Sequence, residues 1–95
     1  MIHYVLACVM WGKPDVKTIQ IPVDDHGMAY LTETFGPYTF EASVMEETMN
    51  YMQIIYNPSN IMTQGNSPSS FGPQKSMSLR LNVGTEQASL DCEIK

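Results

Sequence analysis

Charge is scarce in this chain of 95 residues. Asp, Glu, Lys and Arg together make up 16% of it, against about 25% in an ordinary soluble domain. Basic residues are scarcer still. Lys13, Lys17, Lys75, Arg80 and Lys95 are the whole set, scattered along the sequence against ten acids, for a formal net charge of −5. Nucleic acids are held by clustered Lys and Arg that release the counterions of the phosphates, so no nucleic-acid partner is expected. Two cysteines, Cys8 and Cys92, fall short of the framework that staples small secreted domains. No adjacent residue marks either thiol as activated. They read as reduced core thiols behaving as small hydrophobes, although a bond between them would close most of the chain into one loop. No apolar run approaches the ~20 residues a membrane-spanning helix needs. The apolar start from Met1 to Trp11 has no positive lead-in of the signal-peptide kind. The expected location is therefore the cytoplasm, away from the membrane.

Recognisable chemical motifs are missing as well. Ser67, Ser69 and Ser70 lack the strand–turn–helix setting of a nucleophile elbow. The six glycines form no phosphate loop. Asn57-Pro58-Ser59 fails as a glycosylation acceptor because Pro occupies its middle position. No catalytic residue, cofactor or metal is assigned.

What is present suits a folded domain. Apolar residues make up 43% of the chain, and low charge with that apolar content argues against disorder. The length suits one domain spanning 1–95. Residues 2–11 form a strand with apolar residues on both faces: Ile2, Tyr4, Leu6, Cys8 and Met10 on one, Val5, Ala7, Val9 and Trp11 on the other. Such a strand is covered on both sides, one face by a helix and the other by a second sheet or a partner subunit. Residues 16–23 return as a strand in which Pro22 favours an edge or an end. Residues 28–35 and 38–44 flank Gly36-Pro37 as a hairpin, and residues 77–83 and 88–94 alternate cleanly as another.

One segment breaks the two-residue rhythm. Met45, Thr48, Met49, Met52, Ile55 and Tyr56 recur at three-and-four spacing, the helical period. Ser43 and Glu46 match a capping box, and Asn57-Pro58 supplies a stop. The predicted fold class is α+β: an antiparallel sheet of about five to six strands with one main helix at 44–56 packed on it. A long Ser/Pro/Gly-rich loop follows at 57–75, and loops of that length are often functional.

The interaction candidates are Trp11, Ile61, Met62 and Phe71, large apolar side chains at a strand end or in that loop. His3, Asp24, Asp25 and His26 form the best polar group for acid–base or metal chemistry, although adjacent turn residues point apart. Met45, Met49 and Met52 would share one side of the helix, more simply as core than as thioether ligands. The functional expectation is an interaction protein that binds another protein or itself as a homodimer, without catalysis. The alternative is a small-molecule binding domain with a Met- and aromatic-lined pocket, and behind it a small enzyme using Asp24, Asp25 and His26.

Overall fold

The computed structural model describes residues 4–13, 15–66 and 75–95. Over these the chain is all β, in eight strands: β1 Val5–Gly12, β2 Asp15–Pro22, β3 Ala29–Phe35, β4 Tyr38–Met45, β5 Thr48–Tyr56, β6 Ile61–Asn66, β7 Ser76–Val83 and β8 Glu86–Ile94. They form two antiparallel four-stranded sheets, ordered β2-β1-β8-β7 and β3-β4-β5-β6. Every strand pairs with a neighbour in sequence, and β8 returns to pair with β1. The chain crosses between sheets after β2 and again after β6. The result is an up-and-down arrangement flattened into a sandwich.

This corrects the α+β expectation. The helix predicted at 44–56 does not exist: Tyr38–Met45 and Thr48–Tyr56 are adjacent strands. The three-and-four spacing was produced by a β-bulge. Ser43 pairs with Tyr51 but Val44 pairs with Met49, so Asn50 is the extra residue. A bulge shifts side-chain alternation by one position. Met49 therefore points inward on one side of it, and Met52, Ile54 and Tyr56 do so on the other. Summed over the bulge, the apolar positions imitate a helix. Glu46, read as the acid of a capping box, and Glu47 are the two central residues of the β4–β5 turn, with φ of 52° and 60°. Positive φ at both central positions is the type I′ signature, normally carried by Asn-Gly or Asp-Gly, so Glu-Glu conceals it. Within the stretch read as a loop at 57–75, Ile61–Asn66 is the edge strand β6.

Pleating sends alternate residues into the space between the sheets. Leu6, Cys8 and Met10 from β1, Phe40 and Tyr38 from β4, Met49, Met52 and Ile54 from β5 and Leu90 from β8 are fully buried there. Burying a side chain of that size contributes roughly 1.5–3 kcal/mol. The aromatic end of this core has Phe35 stacked on Phe40 at 5.1 Å and Tyr38 tilted against Tyr56 at 5.7 Å. Tyr38 needs room from the opposite sheet. A Cβ on Gly12 would lie 2.7 Å from its ring, so glycine lets β1 approach. The Tyr38 hydroxyl donates to Glu86. At the seam between β2 and β3, Lys17 forms an ion pair with Glu33.

Cys8 and Cys92 are cross-strand partners on β1 and β8, and they form a disulfide across 84 residues of sequence. The expectation of two reduced thiols is thus replaced by a bond joining the first strand to the last.

Candidate binding faces

Inward positions account for half of each strand. The outward half of β1 is Val5, Ala7, Val9 and Trp11. The other sheet covers the Leu6, Cys8 and Met10 face, and no described segment covers this one. Val9 is 43% exposed and Val16, the cross-strand partner of Trp11, is 63% exposed. Beside the Trp11 row, which runs through Ser89 to Arg80, the rows of Ala7 and Val9 hold six outward residues set by register: Thr18 and Gln20 from β2, Asp91 and Glu93 from β8, Ser76 and Ser78 from β7. Together with Ala7 and Val9 they line a shallow depression of about 290 Å³. Small side chains form its floor because Ala7 sits where a larger residue would fill it. Its charge is mostly negative: Asp91 and Glu93 stand side by side along β8, with Lys95 reaching Glu93 at 3.4 Å.

The outward face of the second sheet differs in chemistry. Tyr30, Ser43 and Tyr51 form one row across β3, β4 and β5, and Thr32, Glu41, Gln53 and Gln64 form the next. Gln53 is buried despite facing outward. Its carbonyl accepts from the Tyr51 hydroxyl and, at 2.7 Å, from the Gln64 amide, while its own amide reaches Glu41 at 3.5 Å. Burial pushes the Tyr51 hydroxyl pKa up, and the nearby Glu41 and Tyr30 add to it. At the end of this face, Asp24, Met28, Tyr30, Ser43 and Met45 border a recess of about 280 Å³.

The interaction candidates from sequence fall in different places. Trp11 ends the outward stripe of β1, half-buried. Ile61 and Met62 open the edge strand β6 and are exposed, Met62 paired with Ile55 on the second sheet's outer face. Phe71 lies outside the described residues, as does His3. Asp24, Asp25 and His26 do share the β2–β3 turn. One Asp24 oxygen accepts from the His26 and Met28 amides, at 2.9 and 3.0 Å. That carboxylate therefore closes its own turn, as Asp commonly does, and no group of three or more His, Cys, Asp or Glu able to hold a metal occurs among the described residues. Of the three methionines read as core, Met49 and Met52 do fill it and Met45 lies outside it.

Asp91, Glu93, Thr18 and Gln20 were missed as site residues because each reads as the solvent half of an alternating strand. The signal that was available was the second apolar face of β1. The Tyr51–Gln53–Gln64 network was hidden by the helical reading of its strand. Comparisons with protein-family models, with curated proteins and with solved structures found no match to this chain.

Proposed function

We propose that this chain is a protein-binding module whose partner covers the outer face of the β2-β1-β8-β7 sheet. The observation that carries this is the outward stripe Val5, Ala7, Val9 and Trp11. A sheet face exposed to water ordinarily alternates to polar residues, and β1 does not. Trp is enriched at the centres of interfaces, and small residues beside it let a partner side chain enter. The paired carboxylates Asp91 and Glu93 favour a partner that presents apolar side chains flanked by Lys or Arg. They disfavour a second copy stacked on the same face. A two-fold axis that runs between β1 and β8, parallel to them, sets β1 of one copy over β8 of the other, placing Val9 against Asp91 and Ala7 against Glu93.

The disulfide bears on where this happens. Disulfides persist in oxidising compartments and are rare in a reducing cytosol. We therefore place the working protein in an oxidising compartment, in place of the cytoplasm expected from composition. This rests on Cys8 and Cys92 being bonded.

A photocrosslinking residue placed at Val9 in the native cell is expected to trap a discrete partner, and the same residue at Thr34, on the opposite face, is not. Val9→Arg should abolish co-purification of that partner while the melting temperature stays within a few degrees. Equal trapping from both positions, or an undiminished complex with Val9→Arg, ends the proposal. Light scattering on the purified chain reads out self-association directly, and a dimer broken by Val9→Arg would replace the heterologous partner with a second copy.

A further inference from the structure

We infer that the outer face of the β3-β4-β5-β6 sheet binds a neutral, extended oligosaccharide. The inference goes beyond the protein-binding face, which lies on the other side of the sandwich.

Three observations lead there. The first is charge. Among the described outward side chains of β3 to β6, Glu41 is the single ionisable acid and there is no base. An anionic ligand finds no base to pair with, whereas hydroxyl groups find the accessible Thr32, Ser43 and Gln64. Amides and hydroxyls both donate and accept, as sugar hydroxyls do.

The second is the order already present in these groups. The Gln53 amide is fixed from three sides, by Tyr51, Gln64 and Glu41, and Asn50 donates to Ser43 at 3.3 Å. Side chains locked before binding lose little entropy when a ligand arrives. The Glu41 and Gln64 side chains are left accessible at the rim, while Gln53 is the buried pivot.

The third is the tyrosine spacing. Tyr30 and Tyr51 lie in the same row on either side of Ser43. Two strand spacings separate their backbones by about 9–10 Å. An aromatic face offers a flat apolar surface on which the C–H face of a pyranose packs. Two such faces two strands apart suit alternate rings of an extended chain, while a monosaccharide reaches only one. Tyr30 is 57% exposed and borders the recess that also includes Met28 and Met45, giving the chain's end a place to seat.

The test is titration of the purified, disulfide-intact protein with cellohexaose, chitohexaose, xylohexaose and mannohexaose, followed by amide chemical shifts. At least one hexaose is expected to perturb residues of β3 to β6 and not those of β1 or β8. It should bind at least tenfold tighter than its own monosaccharide, with an affinity unchanged between low and moderate salt. Tyr30→Ala and Tyr51→Ala should each weaken it tenfold or more, and Tyr30→Phe should retain most of it. Tyr30 is exposed, so its variant folds, and an unchanged melting temperature checks this. No binding by any of the four sugars, shifts mapping to the other sheet, affinity that falls steeply with salt, or full binding by Tyr30→Ala each overturns the inference.

Discussion

Tyr38 shows how one residue ties local geometry to stability. Its ring fills the space that Gly12 leaves, and its hydroxyl reaches Glu86 across the sandwich. Gly12→Ala forces the new methyl into a ring that is buried on every side, and should destabilise by about 1–3 kcal/mol, as overpacking does. Chemical denaturation measures it, and a loss below a few tenths would mean the ring can shift. The hydroxyl gives a pH signature. Burial first, and then the bond and charge of Glu86, raise the Tyr38 pKa above the ordinary tyrosine value. The folded state therefore holds its proton longer than the unfolded chain does. That contribution is complete below about pH 10, the unfolded value, and is lost as pH rises through the folded pKa. Tyr38→Phe should cost about 1 kcal/mol at neutral pH through the lost hydrogen bond, and should flatten the alkaline decline. A wild-type and variant with parallel stability curves above pH 10 would refute the assignment.

At the scale of elements, the β4–β5 hairpin makes the sharpest prediction, because the strand and helix readings differ in sign. Glu46 and Glu47 both occupy left-handed backbone, which costs an L-residue roughly 1–2 kcal/mol each. Replacing the pair with Asn-Gly supplies the residues a type I′ turn prefers and is expected to stabilise by about 1 kcal/mol. The bonds made by the backbone of residue 47, its N–H donating to Gly27 O and its carbonyl accepting from the Lys75 side chain, survive the change. In a helix, the same glycine would destabilise by about 1 kcal/mol. The thermal midpoint therefore discriminates the two directly. The β3–β4 hairpin was legible from sequence because its turn has ordinary chemistry, whereas the β5–β6 hairpin was hidden by the helix and loop readings of its two strands. Gly36-Pro37 places glycine at the single positive-φ position, 57°, as a II′ turn requires. Glu-Glu carries no such signal, and the bulge at Asn50 disguised the alternation beyond it.

Over the whole molecule, the Cys8–Cys92 bond closes nearly the entire chain. Tying β1 to β8 also joins the two strands that lie furthest apart in sequence yet pair in space. On the chain-entropy account, a loop of this length contributes about 4–5 kcal/mol by restricting the unfolded state. That is a large part of the total for a domain this size. Protein unfolded in reductant and refolded with its thiols blocked should melt roughly 20–30 °C lower. An unchanged melting temperature would show that the bond does not form in solution. The same link fixes the register of β1 against β8, and so decides which residues share the depression beside Val9. The face proposed for a partner is therefore expected to lose its order when the bond is broken.

Taken alone, the sequence determined most of the local design. Polarity alternating residue by residue marked five of the eight strands, a run apolar on both faces marked β1, and a tight hairpin followed from Gly-Pro. The second apolar face of β1 announced that something must cover it, because hydrophobic burial depends only on side-chain type and period. Tertiary structure decided the rest. The bulge at Asn50 and the left-handed Glu46-Glu47 turn are tolerated because sheet pairing and core burial outweigh the local preferences of those residues. Cys8 meets Cys92, and Tyr30 shares a row with Tyr51, through pairing across long sequence separations. No local periodicity encodes that, since register is set by the packing of whole strands.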